Sequence, residues 1–369
     1  MRRVRCGGVT ATASPVWDVV VAGGGPAGAV AALLLARAGR RVLLADCSSD
    51  AVRTGEALPP AARPLLRDLG LLPWVLAAGD TPCVGNASAW GSHDLSLSDF
   101  IFNVYGTGFH LDRAAFDASL RAAAAAAGAT LVCARVARQG GLRLRSRKGD
   151  EPLTSRWIVD ASGRAAVCAH ARGATRTRDD RLVAFHGRFV PARGCSDSDG
   201  RTLIESSPDG WWYTALLPSG ARVVAFLTDR DLAPRQQLLS AAGLLAGIDR
   251  TRHIRDVVRA HGYTLSGSLR GVDAASSRLD IFAGGDWLAV GDAALAFDPL
   301  SSQGIFNALY TGMEAGRALD AALSGDEGAV GRYTARLEEI YGAYRRNLLA
   351  FYGSETRWRD QPFWRRRAA

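Results

Sequence analysis

The sequence predicts an α/β fold in which a nucleotide-binding βαβ unit is interrupted by an inserted antiparallel sheet and followed by C-terminal helices. Three observations support this prediction. The apolar run at 16–22 leads into the glycine-rich turn at 23–28, and a helical pattern and a second apolar run follow. Several short apolar runs, separated by Gly, Pro, Ser and Asp turns, fill the stretch from 181 to 228. A further apolar run at 286–290 precedes a long helical pattern.

Each element is predicted from the local pattern of apolar, charged and turn-forming residues. We expect a flexible tail at 1–15. Strands are predicted at 16–22, 41–47, 130–136, 141–147, 153–161, 181–190, 201–206, 211–217, 221–228 and 286–290. Helices are predicted at 26–39, 59–69, 113–128, 231–247, 251–261, 302–324 and 328–352.

These elements divide the chain into two interleaved domains and a C-terminal segment. At 369 residues the chain is long enough for this arrangement or for one large domain. We assign 16–80, 101–175 and 276–325 to the nucleotide-binding domain. The inserted substrate domain takes 81–100 and 176–275, and 326–369 forms a C-terminal helical segment.

The composition is that of an ordinary globular protein with a basic charge. Hydrophobic residues make up 48% of the chain and charged residues 22%, which excludes a disordered or fibrous protein. The net charge is +9, and Lys148 is the only lysine. We attribute the basicity to coding bias toward arginine, with an acidic partner or substrate as the alternative. Because no dense basic helix or RNA-binding signature appears, we predict no nucleic-acid partner.

The cysteines, the histidines and the N-terminus indicate a cytoplasmic protein without a metal or membrane contact. The six cysteines form no CxxC pair, so we expect reduced thiols. The six histidines form no HExxH or other ligand cluster, so we predict no metal. The apolar run at 16–37 resembles a signal peptide, but Asp18 and the glycines at 23–25 interrupt it. No uninterrupted segment reaches transmembrane length.

The first glycine-rich turn has the pattern GxGxxG, which is typical of a phosphate-binding turn between a strand and a helix. Gly23 permits the tight turn, Gly25 lets the backbone approach a pyrophosphate, and Gly28 lets the helix pack closely on the strand. Pro26 and Ala27 begin the helix, whose free N–H groups and positive dipole end attract phosphate. The alternative is a glycine-rich turn without a ligand.

Two acidic positions indicate which dinucleotide binds. Asp46 ends the next predicted strand, eighteen residues after Gly28, where a carboxylate holds a ribose diol. After a long excursion the chain returns with GDAALAFDPLSSQGI at 291–305, and this late return fits FAD, whose extended body must be held at both ends. Asp292 can accept a hydrogen bond from a ribityl hydroxyl. A helix beginning near Ser302 can point its N-terminus at the flavin ring.

These motifs resemble those of the FAD-dependent monooxygenases with the para-hydroxybenzoate hydroxylase fold, including their tryptophan-halogenase and geranylgeranyl-reductase branches. The resemblance covers nearly the whole chain, and the order and spacing of the motifs agree. The matching stretches are VVVAGGGPAGAVAA, RTGEALPP, HLDRAAFDASL, IVDASGR, GWWYTALLP and GDAALAFDPLSSQGI. The resemblance implies a Rossmann-like FAD-binding domain of the GR2 type and FAD as the cofactor.

The resemblance also implies individual contacts to the cofactor. Arg53 and Arg113 would contact the flavin or its ribityl-phosphate chain, and the backbone near Val136 would meet the adenine. Asp160 would support the FAD-binding domain. Asp46 departs from the family, which often has Glu at this position. The alternative for each arginine is a surface salt bridge.

The segment at 298–305 would complete the cofactor site. We expect Asp298 to cap or orient the turn and Pro299 to shape the loop beside the reactive ring. Gly304 and Ile305, at the start of the following helix, would contact the cofactor. The alternative for Asp298 is an Asx-turn residue without contact to the reaction.

Within this fold, GWWYTALLP, DPLSSQGI and the tail RWRDQPFWRRR resemble one subgroup. Its members are the flavoproteins that accompany three quinone-cofactor enzymes: lysine ε-oxidase, glycine oxidase and quinohemoprotein amine dehydrogenase. The resemblance implies hydroxylation of a tryptophan side chain in a precursor protein or peptide, during the biogenesis of a tryptophylquinone.

Departures from the tryptophan halogenases argue against halogenation. Those enzymes use a lysine to direct hypohalous acid, but no lysine lies between Glu56 and Ile101. Ser301 takes the place of their loop glutamate, and Gln303 takes the place of their halide-contacting threonine. Their WxWxIP stretch is replaced by WWYTALLP at 211–218, with a different spacing to the proline.

The implied chemistry is attack by an electron-rich indole or phenol ring on a flavin C4a-hydroperoxide formed from reduced flavin and O2. The protein must exclude water and hold the ring near the flavin. Trp211, Trp212 and Tyr213 are candidates for an apolar roof over this ring, or they belong to the sheet core.

The candidate proton acceptors near the flavin are Glu56 and His186, with His110 as a weaker candidate, and the alternative for each is a structural role. Together with Trp212 and Gln303, Glu56 and His186 form the predicted catalytic set.

The electron donor and the substrate class stay open at the level of sequence. No second GxGxxG exists for a stable NADPH domain, so electrons come either from transiently bound NAD(P)H or from a separate flavin reductase. The first functional hypothesis is hydroxylation of a tryptophan-bearing protein or peptide. The second is a small-molecule aromatic hydroxylase, halogenase-like enzyme or prenyl reductase of a natural-product pathway. A third, non-enzymatic class escorts prenylated proteins without flavin, and the intact GxGxxG, Asp46 and Asp292 disfavour it.

Overall fold

The computed structural model describes residues 16–47, 56–138, 141–147 and 149–367. The predicted tail at 1–15, the predicted cofactor contact Arg53 and the lysine Lys148 lie outside the described residues. The division into domains stays a prediction, and the elements are given below in chain order.

Strands occur at all the predicted places with slightly different bounds, and the structure adds several short strands and one ten-residue strand, Thr264–Asp273, that the sequence did not predict. They are β1 (Val16–Ala22), β2 (Val42–Ala45), β3 (Ala57–Leu58), β4 (Thr81–Cys83), β5 (Gly85–Ala89), β6 (Ser96–Asp99), β7 (Gly108–His110), β8 (Thr130–Val132), β9 (Arg135–Arg138), β10 (Leu142–Ser146), β11 (Gly149–Pro152), β12 (Thr154–Asp160), β13 (Arg176–Arg178), β14 (Leu182–Val190), β15 (Arg201–Ser207), β16 (Gly210–Leu216), β17 (Arg222–Asp229), β18 (Thr264–Asp273), β19 (Ser277–Leu279), β20 (Trp287–Ala289) and β21 (Leu295–Ala296).

The helices also follow the prediction, apart from one that divides and three short helices, Leu72–Ala77, Val167–His170 and Pro362–Arg365, that were not predicted. They are α1 (Pro26–Arg37), α2 (Ala62–Asp68), α3 (Leu72–Ala77), α4 (Arg113–Ala126), α5 (Val167–His170), α6 (Arg235–Leu238), α7 (Ala241–Ile248), α8 (His253–Ala260), α9 (Gly304–Leu323), α10 (Ala329–Gly353) and α11 (Pro362–Arg365). The predicted helix at 231–247 divides because Ser240 is extended and its side chain accepts a hydrogen bond from the Gly243 N–H at 3.1 Å, which starts α7 anew.

The nucleotide-binding part is built on a parallel sheet with the strand order β20-β12-β1-β2-β8. Its neighbouring strands pair in parallel, and the valines at 19–21 of β1 are fully buried. Helix α1 lies against α9, where a side chain on Gly312 would come within 2.3 Å of the Ala27 carbonyl oxygen. The two helices approach so closely only because Gly312 has no side chain. The predicted α/β fold with a Rossmann-like sheet is therefore confirmed.

The inserted sheet has the strand order β18-β14-β17-β16-β15-β5-β6. It is antiparallel except that β5 and β15 pair in parallel. Because side chains alternate between the two faces of a strand, one face packs on α7 and α8 through Phe185, Trp212 and Phe226. The opposite face looks toward the parallel sheet.

The C-terminal segment is fastened to the inserted sheet by side-chain contacts. The Trp211 Nε1–H in β16 donates a hydrogen bond to the Tyr352 hydroxyl in α10 at 3.1 Å. Trp364 in α11 donates from Nε1 to the Ser207 carbonyl at 2.8 Å. The buried guanidinium of Arg367 pairs with a carboxylate of β17 at 2.7 Å. The C-terminal segment is therefore anchored on three strands of the inserted sheet. Within the described ranges, no helix has both the length and the apolarity needed to cross a membrane.

Candidate functional site

A cavity of about 960 Å³ lies between the carboxyl ends of the parallel strands and the inner face of the inserted sheet. Ligand sites in open α/β sheets lie at this edge. Most of the predicted cofactor and catalytic residues line it: Gly23, Gly25, Pro26, Ala27, Asp46, Glu56, Arg113, Val136, His186, Asp292, Pro299, Gly304 and Ile305. The structure thus brings together residues that are up to 282 positions apart, as in Gly23 and Ile305.

The glycine-rich turn forms one end of the cavity. Gly23 has a φ of +114°, and a side chain there would lie 2.3 Å from the Ala161 carbonyl oxygen. Gly28 does not line the cavity but packs the helix on the strand, since a side chain would lie 2.0 Å from the Gly23 carbonyl oxygen. Helix α1 has no side-chain cap at Gly25, so its first N–H groups are left for an anion. These are the roles that the sequence pattern predicts.

Asp46 follows β2 and lies beside the turn, as predicted. Its carboxylate is 3.4 Å from the Arg121 guanidinium, and Arg121 also donates a hydrogen bond to the Gly24 carbonyl at 3.2 Å. Arg121 therefore ties the acidic residue to the phosphate turn. Sequence reasoning missed Arg121 because it lies 75 positions beyond Asp46, in the middle of α4.

The late acidic corner also lines the cavity. Asp292 lies in a 3₁₀ helix at Gly291–Ala293, and its side chain is 39% exposed toward the cavity. The Arg164 guanidinium is 3.7 Å from its carboxylate. Arg176 donates hydrogen bonds to the carbonyls of Asp292 and Ala293 at 3.1 and 2.7 Å. Arg164 ends the IVDASGR motif, which was the available signal for its role.

We expect Asp292→Ala to weaken FAD binding by roughly 10- to 100-fold, because one hydrogen bond to a carboxylate is lost. The melting temperature of the flavin-free protein should change little, since the side chain is partly exposed. Asp292→Asn keeps an acceptor oxygen and should lose less affinity. Titration of both flavin-free variants with FAD measures this. If Asp292→Ala lowers the melting temperature of the flavin-free protein as much as that of the flavin-loaded protein, Asp292 is a structural residue instead.

The loop before α9 closes the other end of the cavity. A 3₁₀ helix at Pro299–Ser301 is followed by Ser302 in the left-handed region, with φ 51° and ψ 20°. A non-glycine residue in this region stores strain, which is typical of functional loops. Helix α9 then begins at Gly304 without a side-chain cap, so its first N–H groups are left for a ligand, and Gly304 and Ile305 line the cavity. Gln303 is not among the lining residues, although its neighbours Ser302 and Gly304 are, and its catalytic role stays a prediction.

Asp298 is buried beneath this loop and is engaged at both carboxylate oxygens. The Leu300 N–H donates to Oδ1 at 2.9 Å, and the Tyr352 hydroxyl donates to Oδ2 at 2.8 Å. Burial, together with the nearby Asp180 charge, raises the pKa of Asp298 to about 6. Asp298 therefore orients the turn, as predicted. Its link through Tyr352 to Trp211 could not be expected from sequence, because it joins residues far apart along the chain.

The raised pKa of Asp298 makes stability depend on pH. The folded pKa of about 6 lies above the ordinary value of 3.8, so ionisation costs the folded state free energy as the pH rises through this interval. We expect the free energy of unfolding of Asp298→Asn, relative to wild type, to increase by up to about 3 kcal/mol between about pH 4 and pH 7. Urea denaturation at several pH values measures this. A difference that is constant with pH would contradict it.

The inserted sheet supplies the remaining wall. His186 is 6% exposed, and its Nε2 has no hydrogen-bond partner among the described residues. Burial, with a smaller effect from Arg270 and Arg188, lowers the pKa of His186 to about 4, so the imidazole is neutral near pH 7. Tyr213 lies on the same wall, where burial and the Glu56 carboxylate raise its pKa well above the ordinary value.

Trp212 and His110 do not reach the cavity. Trp212 packs on the opposite face of the sheet, with its ring 4.7 Å from that of Phe226, so its prediction as a catalytic residue is corrected. The neighbours Trp211 and Tyr213 line the cavity instead. His110 is fully buried, and its Nε2 lies 3.2 Å from the Thr202 hydroxyl.

Arg113 and Asp160, to which the family resemblance assigns roles, both form side-chain contacts within the protein. Arg113 lines the cavity and also pairs with the buried Asp117 at 3.2 Å. Asp160 accepts hydrogen bonds from the Ser162 N–H, the Ser162 hydroxyl and the Ala169 N–H at 3.0, 2.6 and 2.8 Å. It thereby fixes the chain after β12, in line with its expected supporting role.

The features of this cavity fit FAD. The uncapped helix starts suit the pyrophosphate and the flavin ring, and the two acidic residues suit the ribose and ribityl hydroxyls. Among the described residues, no group of three or more His, Cys, Asp and Glu side chains is placed to hold a metal.

Comparison with known proteins identifies relatives over nearly the whole length. The putative FAD-dependent oxidoreductase LodB of Marinomonas mediterranea is 33% identical over 367 residues, which cover 96% of this chain and 97% of LodB. The myxobacterial chondrochloren halogenase CndH superimposes with a TM-score of 0.86 at 26% identity, over 96% of this chain and 86% of CndH. The peptidyl tryptophan dihydroxylase QhpG, described as essential for tryptophylquinone cofactor biogenesis, superimposes with a TM-score of 0.79 at 27% identity, over 96% of this chain and 79% of QhpG.

The sequence profile of the FAD binding domain family matches residues 16–341, which include both ends of the cavity. The predicted family and cofactor class are thereby confirmed. The chain belongs to the FAD binding domain family and is an FAD-dependent oxidoreductase.

Proposed function

We propose that this enzyme hydroxylates an aromatic ring, and that the ring is a tryptophan side chain of a precursor protein or peptide during quinone-cofactor biogenesis. The similarity to QhpG over 96% of this chain supports the substrate class. The observation that carries the choice of reaction is the absence of lysine from the cavity wall formed by the described residues. The tryptophan halogenases, which the sequence also resembles, use a lysine to direct hypohalous acid.

FAD would be held by the residues at the two ends of the cavity. The N–H groups after Gly25 would bind the pyrophosphate, Asp46 the adenosine ribose and Asp292 the ribityl chain. The start of α9 at Gly304 would face the flavin ring. When bound, reduced flavin together with O2 supplies an electrophilic oxygen. Electrons would come from NAD(P)H or from a separate flavin reductase.

The protein side chains would bind and orient the ring and handle its proton. The apolar wall around Trp211 and Leu227 excludes water from the ring. Glu56, which is 7% exposed, is the candidate acceptor for the proton that the ring loses on hydroxylation. Neutral His186 is available as a hydrogen-bond acceptor. The placement of each side chain on the cavity wall supports these roles.

A second candidate is flavin-dependent halogenation, which the similarity to CndH supports. The candidates are separated by the mass of the product. The flavin-loaded enzyme is incubated with a reductant, O2, bromide and a tryptophan-bearing precursor peptide, and the peptide is analysed by mass spectrometry. We expect oxygen to be added to the tryptophan. Bromine on the peptide would favour halogenation. An unmodified peptide, alongside turnover of a free aromatic compound, would favour a small-molecule enzyme.

A further inference from the structure

The inner face of the inserted sheet presents a row of three side chains to the cavity. In the strand register Tyr213 lies opposite Ala225, and Ala225 lies opposite His186. All three line the cavity. Since neighbouring strands are about 4.8 Å apart, the Cα atoms of the two polar residues are about 10 Å apart, with only a methyl group between them.

The adjacent row makes this gap a slot with an apolar wall. Trp211 lies opposite Leu227, and Leu227 lies opposite Ala184. These residues also line the cavity, which extends to Pro299 in the loop before α9. The small Ala184 and Ala225 leave space for a flat ring, because larger side chains at either position would fill it. The slot therefore fits a planar aromatic group near the proposed place of the flavin.

His186 gives the slot a polar side. Its side chain is more than nine-tenths buried, and Nε2 has no partner among the described residues. An unsatisfied buried polar atom costs about 1–3 kcal/mol, and its partner in a cavity wall is commonly a ligand or a water molecule. The imidazole is an uncharged ring and can accept one hydrogen bond.

We propose that His186 selects an aromatic ring that carries a hydrogen-bond donor. The substrate indole lies over Ala225, donates its N–H to the His186 imidazole and is bounded on the other side by Tyr213. This inference rests on the proposed aromatic substrate, and it names the residue that recognises the ring. His186 is thus a specificity-determining residue.

The test compares two rings of the same shape on the flavin-loaded protein. Indole has the N–H donor, and benzofuran has an oxygen atom in its place. Binding is measured from the change in flavin absorbance, without turnover. We expect wild type to bind indole roughly tenfold more tightly than benzofuran. His186→Leu should abolish the difference while flavin is retained, and His186→Gln, which keeps an acceptor, should restore part of it.

Val272→Ala is the matched control, since it alters the same wall without removing a polar atom. Val272→Ala should weaken the binding of indole and of benzofuran by the same factor. The inference is overturned if wild type does not bind indole or binds it no more tightly than benzofuran. It is also overturned if His186→Leu keeps the preference for indole. Loss of flavin from His186→Leu would also overturn it, because His186 would then contact the cofactor. Failure of the hydroxylation assay would leave this binding preference intact, so the two proposals fail separately.

Discussion

We expect Gly25→Val to abolish FAD retention in a chain that still folds. Gly25 caps the start of α1 with φ −71° and ψ −178°, which is an extended conformation that valine also adopts. The substitution therefore introduces no backbone strain. The added side chain enters the part of the cavity next to the first N–H groups of α1, where the pyrophosphate must approach.

The measurement is the ratio of flavin to protein after gel filtration, from visible absorbance, with circular dichroism to verify folding. Gly331→Val is the matched control, because Gly331 lies in α10 with no atom near its added side chain and outside the cavity lining. The control should retain flavin. A stoichiometric amount of flavin in folded Gly25→Val would refute the predicted phosphate site.

We expect Arg222→Met to destabilise the protein by about 3–5 kcal/mol, because it leaves a buried carboxylate without its arginine partner. The Arg222 Nε–H lies 2.5 Å from Asp197 Oδ2, and the two side chains are 2% and 1% exposed. Tyr263 also donates a hydrogen bond to this carboxylate at 2.9 Å. Burial acts to raise the pKa of Asp197, but the hydrogen bonds from Arg222 and the Asp199 backbone lower it below its ordinary value.

Since the folded pKa of Asp197 is lowered, its stabilising contribution is present above the ordinary pKa and is lost as the pH falls. Urea denaturation near pH 7 measures the full effect. The exposed pair of Arg67 and Asp68, whose side chains are 69% and 64% exposed, provides the control. Arg67→Met should cost less than about 1 kcal/mol. A similar small loss for Arg222→Met would mean that the buried pair adds no more than a surface pair.

The sequence identifies the parts of the site that depend on local structure. The turn with Gly23 and Gly28, the strand end with Asp46 and the return with Asp292 are each fixed by a few neighbouring residues, and the structure places them as expected. The arginines that contact the two acidic residues, Arg121 beside Asp46 and Arg164 beside Asp292, were not predicted. Arg121 is an example, since its partner lies far away in sequence and only the packed fold brings the two together.

The error at Trp212 has a different cause. Strand alternation predicts that Trp211 and Trp212 face opposite sides of the sheet, but it does not say which side faces the cavity. That choice depends on α7 and α8, which cover the outer face. The parallel pairing of β5 with β15 is likewise a long-range feature, and a local pattern of apolar residues does not reveal it.

The central claim is that FAD lies extended between the glycine turn and the corner at Asp292. The most direct test is a titration of the flavin-free, folded protein with FAD and, separately, with FMN, which lacks the adenosine half. We expect one FAD per chain, and FMN to bind at least about 100-fold more weakly, because FMN has only one of the two phosphates at the first turn of α1 and no adenosine ribose for Asp46 to hold. No uptake of FAD in excess, or equal affinity for FMN, would contradict the claim.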